Sequence, residues 1–448
     1  MTEQEAAHIE PLVVARPEHS ISRSAISDNA LKVLYRLHNA GYKAYLVGGG
    51  VRDLSLGREP KDFDVATDAT PEQVKDLFRN CRLIGRRFRL AHVHFGREII
   101  EVATFRALHD GDADGEDQEG RVLEEGRIVR DNVFGTIEED ALRRDFTVNA
   151  LYYNIADFSL VDYVGGKQDL ERGVIRLIGD PEVRFREDPV RMLRAVRFAV
   201  KLGFRIHPDT EAAIPRVADQ MEHIPAARLF EEVLKLFMGG MGLETFEMLR
   251  HYRLYGYLFP ATDAILDRDE FGVALGFIAR ALDNTDARIA EGKPVTPAFI
   301  FAAMLWPVLL ERLPEYRRRE EGESPALQQA AADVISDQVR TVTIPKRFGI
   351  PMREIWTLQP RFEKRSPKRV QRLMAHPRFR AAYDFLLLRA LVGEADQELA
   401  DWWTEIQQAS GERRQEMLGG RKRGGGKRRR RGGKGGGQGS AEGDDASN

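Results

Sequence analysis

Asp62 and Asp64 flank Phe63 in the run EPKDFDVATDATPE, residues 59–72. In an extended chain alternate side chains share a face, so the two carboxylates point together while Phe63 and Val65 point the other way. Two like charges at that distance oppose each other's ionisation unless a cation lies between them. Mg²⁺ takes oxygen ligands, typically one or two carboxylates plus substrate phosphates. Asp62 and Asp64 are therefore candidate metal ligands. The plainer alternative, and the better one for an isolated Asp-x-Asp, is a pair of solvated aspartates on an edge strand.

The surrounding residues favour the metal. Upstream, LVGGGVRDLSLG sets Gly48, Gly49 and Gly50 at the end of a strand, with Arg52 just beyond. Glycine lets backbone approach a ligand closely, and amides at a helix start attract phosphate, although a glycine turn equally serves a tight bend. Downstream, RRDFTVNALYYN offers Arg143 and Arg144 to a triphosphate and Asp145 as a third carboxylate. Glu101, in IIEVATF, competes for that third role, and Asp145 also suits a helix start capped by Thr147. In REDPVRMLRAVRFAVKLG, Asp188 and Pro189 signal a helix start and Gly203 its end. Arg191, Arg194, Arg197 and Lys201 then fall on one helical face, opposite Met192, Leu193, Val196 and Val200. Most such stripes are solvated faces. Beside an acidic metal site, forked guanidinium donors also suit triphosphate and base recognition.

These residues need elements to hold them. SDNALKVLYRLHNAGY reads as a helix ending at Gly41, KAYLVGGG as a buried strand and DFDVAT as a second strand. PEQVKDLFRNC reads as a helix with proline in its first turn, and HVHFG, REIIEVATF and RIVRDNVFG as strands. The acidic, Gly-rich HDGDADGEDQEGRVLEEG is expected to be an exposed loop. Beyond Asp180 the pattern is helical almost throughout, with no repeat period. The expected fold is an α/β head, a mixed sheet with helices, followed by an all-helical body. The expected divisions are a flexible arm at 1–20, the head at 21–155, a helical neck at 156–235, a helical body at 236–418 and a disordered basic tail at 419–448.

The 448 residues carry a net charge of −2, and this conceals an asymmetry. Residues 419–448 hold nine Lys/Arg against three acids, so they are +6 and the remainder −8. A Gly-rich basic segment without large apolar residues cannot build a core and attracts polyanions by counterion release, or simply confers solubility. The single cysteine, Cys81, excludes an internal disulfide and fits a reducing compartment. With no run of eighteen apolar residues and no signal-like start, a cytoplasmic location is expected. His92 and His94 alternate on an expected strand, but no further ligand stands at a fitting spacing, so packing or RNA contact is expected of them.

Taken in order, LVGGGVRDLSLG, KDFDVAT, RRDFTVNALYYN, GGKQDL and REDPVRMLRAVRFA resemble the class II nucleotidyltransferases of the polymerase β superfamily. Any single piece is modestly specific, whereas the ordered set is highly specific. Two activities share the set, bacterial poly(A) polymerase and the tRNA CCA-adding enzyme. RLIGRRFRLAHVHFG and the basic low-complexity terminus resemble the poly(A) polymerase branch. The resemblance implies template-independent transfer of AMP from ATP to RNA 3′ ends with release of pyrophosphate, in support of mRNA decay. It implies Mg²⁺, with Mn²⁺ as an alternative, on Asp62 and Asp64, and ranks Asp145 ahead of Glu101 as third carboxylate. It places Gly48, Gly49, Arg52 and Arg144 on the triphosphate, Asp188 and Arg191 on the base, and Arg194 and Arg197 along the same pocket. RNA-degradation machinery and RNA chaperones are partners by resemblance alone.

Overall fold

The computed structural model describes residues 10–85, 89–108, 121–124, 127–131 and 133–418, with backbone only over 121–131. The tail at 419–448 therefore lies outside the described residues, as do 109–120 and 125–126 of the expected acidic loop.

Helix α1 (Asp28–Asn39) starts where the Ser27 side chain accepts from the Ala30 amide, and buries Ala30, Val33, Leu34 and Leu37 along one stripe. It leads into β2 (Ala44–Val47), preceded in the chain by β1 (Leu12–Val14). The short α2 (Gly49–Ser55) connects β2 to β3 (Asp64–Thr67). Then come α3 (Pro71–Leu77), opened by a Thr70–Gln73 capping box with proline in its first turn, β4 (Cys81–Ile84), β5 (Leu90–Phe95) and β6 (Glu98–Thr104). A separate hairpin pairs β7 (Arg121–Glu124) with β8 (Arg127–Asp131), so this end of the expected loop is strand. Helix α4 (Ile137–Leu142) precedes β9 (Leu151–Asn154) and β10 (Leu160–Asp162).

Among the described residues, eight strands form one mixed sheet in the order β1-β10-β9-β2-β3-β6-β5-β4. Within it β3 and β6 run parallel, and the other neighbours are antiparallel. Alternation divides the central strands between two faces. Leu46, Val65, Val102 and Tyr153 join the main core under α1, whereas Val47, Ala66, Phe105 and Tyr152 pack with Ile137 and Ala141 of α4.

The sheet reaches beyond the 21–155 span expected for the head. Three residues of the expected arm form its edge strand, which pairs with β10 on the far side of residue 155. A three-residue strand is too short to show a period, which is why neither β1 nor β10 is legible from sequence. The strand expected over DFDVAT begins only at Asp64, leaving Asp62 in the approach to it.

After α5 (Gly166–Arg172), the parallel pair β11 (Val174–Ile175) and β12 (Arg205–Ile206) brackets α6 (Pro181–Glu187) and α7 (Val190–Leu202). Helix α7 ends at Gly203, whose left-handed φ of 71° closes it as expected. Its Phe198 meets Phe146 of the head edge-on, 5.7 Å between ring centroids. Helices α8 (Pro208–Val217) and α9 (Ala226–Phe237) follow, and the main core runs on without a break into the helical body, as far as Leu388. One body helix, Pro297–Arg319, is long and apolar enough to cross a membrane, yet 67% of its most apolar window is buried inside the protein. Trp356 donates from Nε1 to Ala302 O of that helix at 3.1 Å, as expected of a core helix.

Candidate functional site

Strand β2 delivers the chain to Gly48, whose φ of 68° and ψ of −135° suit glycine alone. A Cβ placed there would stand 3.6 Å from Arg144 Nη1 and 3.9 Å from Asp64 Oδ2, so the turn lies against both. Arg52, one turn into α2, is only 2% exposed. It donates from Nε and Nη2 to Asp53 Oδ1 at 2.8 and 2.7 Å, and from Nη1 to Asn149 Oδ1 at 2.7 Å. It is a brace in the wall more than an outstretched cation.

Asp62 and Asp64 line the same cleft, of about 1020 Å³, but so does Phe63, because the strand begins only at Asp64 and its alternation does not extend back over Asp62 and Phe63. Burial pushes Asp64 up to about 6, with the Glu101 carboxylate adding to it, Arg144 pulling back and Asp62 adding again. A carboxylate so placed is ionised more readily once a cation joins it. Glu101 is its register partner on β6, and His92 on β5 is in turn the partner of Glu101. His92 Nε2 lies 3.2 Å from Glu101 Oε1, so Asp64, Glu101 and His92 form one row across three strands. No set of three His, Cys, Asp or Glu side chains converges on a common metal position among the described residues. Two carboxylates open to a cleft nevertheless fit Mg²⁺, which draws its remaining oxygens from phosphates and water.

Asp145 is engaged on both oxygens. Its Oδ1 accepts from the Phe146 amide at 2.8 Å and from Asn149 Nδ2 at 3.2 Å, while Oδ2 accepts from Arg194 Nε at 2.8 Å. Burial would raise its pKa, but Arg194 and these donors outweigh that and hold it at about 2. Asn149 thereby links Asp145 to Arg52. Arg144 is tied differently, to Asp140 Oδ2 at 3.0–3.1 Å and to the Tyr152 hydroxyl at 2.9 Å. Burial acts against its charge, and Tyr152 and Asp140 restore it.

The arginine stripe of α7 divides between two clefts. Arg194 and Arg197 line the large one with Gly48, Gly49, Arg52, Asp62 and Asp145. Arg191 lines a smaller one, of about 360 Å³, with Glu187, Asp188 and Arg228. Asp64, Glu101 and Arg144 belong to both. In the smaller cleft Arg191 Nη1 donates to Glu187 Oε2 at 2.9 Å, and Arg228 Nη2 donates to Asp188 Oδ2 at 2.7 Å. Arg197 keeps an Nε without a hydrogen-bond partner, and burial, followed by the nearby Arg194 charge, lowers its pKa. Three further residues belong to the arrangement. Glu187 is the chain neighbour of Asp188. Asn149 lies inside the RRDFTVNA motif. Arg228, 40 residues beyond Asp188, gave no signal.

Comparison with known proteins places the chain in a family. Residues 44–176 match the family model described as the Poly A polymerase head domain. Residues 203–266 match "Probable RNA and SrmB- binding site of polymerase A", and residues 319–435 match "Polymerase A arginine-rich C-terminus". Poly(A) polymerase I of Salmonella typhimurium is 54% identical over 412 residues, covering 91% of this chain and 88% of that protein. The CCA-adding enzyme of Bacillus subtilis is 40% identical over 226 residues, which cover 50% of this chain and 54% of that enzyme. Among solved structures, the Bacillus stearothermophilus CCA-adding enzyme in complex with CTP superposes with a TM-score of 0.57 at 27% identity, covering 87% of each chain.

Proposed function

The chain belongs to the poly(A) polymerase I family, and we propose that it joins adenylate to RNA 3′ ends where its two clefts meet. The activity is polynucleotide adenylyl transfer, and the CCA-adding enzymes are half-chain relatives. In the reaction the RNA 3′-hydroxyl oxygen bonds to the α-phosphorus of ATP, the bond to the bridging oxygen breaks, and pyrophosphate leaves. The observation that carries the placement is the sharing of Asp64, Glu101 and Arg144 by both clefts.

Asp62 and Asp64 would hold Mg²⁺, or Mn²⁺ in its place, which when bound supplies positive charge at the phosphoryl oxygens and favours ionisation of the attacking hydroxyl. Gly48 and Gly49 leave the turn open to the triphosphate, and Arg144 stands beside it as a fixed cation. Arg194 and Arg197 add charge along the large cleft. Asp145 is assigned to holding Arg194 and Asn149, and through Asn149 to steadying Arg52. Glu101 is the carboxylate placed beside Asp64. In the smaller cleft Asp188 and Arg191 would read the base edge, with Arg228 fixing Asp188. Side chains, not a template strand, would thus select adenine. The helical regions would hold the RNA largely through its backbone. A cytoplasmic location and association with RNA-degradation machinery or an RNA chaperone complete the proposal.

Purified protein offered each labelled NTP in turn, with a tRNA and with an unstructured RNA, tests this reading. Long adenylate tails on both RNAs are expected. Addition of cytidine confined to the tRNA would make the chain a CCA-adding enzyme.

A further inference from the structure

In the helical body, the helices Val273–Ala290, Pro297–Arg319, Lys346–Leu358 and Phe379–Leu391 enclose a cleft of about 620 Å³. None of its lining residues belongs to the two clefts of the head or to the segment 203–266. Part of its lining is apolar, with Phe299, Ile355 and Leu388, while Arg288, Arg347, Arg378 and Arg380 also line it. Arg378 pairs with Glu354 at 3.2 Å and Arg380 with Asp384 at 3.0 Å. Arg288 donates from Nη2 to Pro294 O at 3.2 Å, and the Arg347 guanidinium lies 4.9 Å from the Phe348 ring centroid. Neither of these two is ion-paired with a carboxylate among the described residues.

Three of the four arginines belong to residues 346–380, which hold eleven Lys/Arg and only two acids. All eleven cations are exposed. This is the reverse of the acidic balance of residues 1–418 as a whole, so the surface around the cleft suits a polyanion. An apolar recess among guanidinium groups suits an occupant that is flat and apolar in one part and anionic in the next. A paired RNA strand hides its bases, but an unpaired one turns them out to stack on side chains while its phosphates meet cations.

We propose that this cleft takes one unpaired nucleotide of the RNA substrate, upstream of the reacting 3′ end, with its base in the apolar recess beside Phe299 and its flanking phosphates at Arg288 and Arg347. The proposal rests on the reading that the chain extends RNA 3′ ends. It adds a second hold on the RNA, engaged only when the strand is long enough to span from head to body.

The test uses the full chain and unstructured primers from about 4 to about 16 nucleotides long. One variant, Arg288→Glu with Arg347→Glu, reverses the charge; another, Ala381→Phe, fills the recess. For each, RNA Kd and the KM for ATP are measured against the parent. Long-primer affinity should fall about tenfold in either variant, while the shortest primer and the ATP KM stay within about twofold. A second arm scans a single abasic nucleotide along the long primer bound to the parent. Affinity should drop at one upstream position, and the Ala381→Phe variant should lose that dependence. Unchanged long-primer affinity in both variants, an equal loss at every length, or a flat abasic scan overturns the proposal. Extension of the shortest primer by the parent reports separately on the functional reading, since that primer does not reach the cleft.

Discussion

Arg194 on α7 donates from Nε to Asp145 Oδ2 at 2.8 Å, joining the carboxylate of the RRD segment to the arginine stripe 49 residues along the chain. The Asp145 side chain is 12% exposed and that of Arg194 31%, so the pair is poorly screened. Removing one partner would leave a largely buried charge uncompensated.

The pair makes stability depend on pH in a defined direction. Asp145 is held at about 2, below its ordinary 3.8. A depressed carboxylate contributes stability that is complete above its unfolded value and is lost as pH falls through the folded one. Roughly 2 kcal/mol should therefore be present above about pH 4 and vanish towards about pH 2. Urea unfolding across that window should fall more steeply for the parent than for Asp145→Asn; equal slopes would contradict the assignment. The same variant should keep the parent's Mg²⁺ requirement, because Asp145 is occupied by Arg194. A raised requirement would make it a metal ligand.

Nucleotide choice should reside in the smaller cleft. Arg191→Ala removes forked donors, so the KM for ATP should rise and preference for ATP over CTP should weaken roughly tenfold. Arg228→Ala should act in the same direction by releasing Asp188, although it is absent from the motif. Steady-state rates with each nucleotide decide this. An unchanged ATP/CTP ratio in both variants would return the Arg191 end of the stripe to an ordinary helix surface.

Residues 419–448 offer nine cations to RNA and no apolar side chain to a core beyond Ala441 and Ala446. Deleting them should leave thermal unfolding unchanged and flatten the fall of RNA affinity with salt, since fewer counterions are released on binding. At low salt and short times the truncated enzyme should add fewer adenylates per encounter. Coincident log K–log salt slopes would make the tail a solubilising appendage.

Much of this was legible because it is local. Ser27 caps α1, Gly203 ends α7, and Asp62 and Asp64, two residues apart, line one cleft. The rest depends on where elements meet. Helical spacing puts Arg191 and Arg194 on one face, but α7 runs along the divide between two clefts, so its arginines separate. Arg52 lines the large cleft while Asp53 and Asn149 hold it buried, and the partner at Asn149, 97 residues along the chain, is not readable from local spacing. Arg228 reaches Asp188 only because α9 packs against α7, a contact no local pattern encodes.

Asp62 and Asp64 are proposed to carry the chemistry. The measurement that tests this most directly is single-turnover AMP incorporation into RNA by Asp62→Ala and Asp64→Ala, with RNA Kd measured on the same preparations. Both variants should bind RNA about as the parent does. Both should fall below about a tenth of its rate, a barrier increase above about 1.4 kcal/mol, because transition-state charge is left without its counter-charge. Retention of more than that fraction of the rate by either variant, with RNA binding intact, would contradict the account.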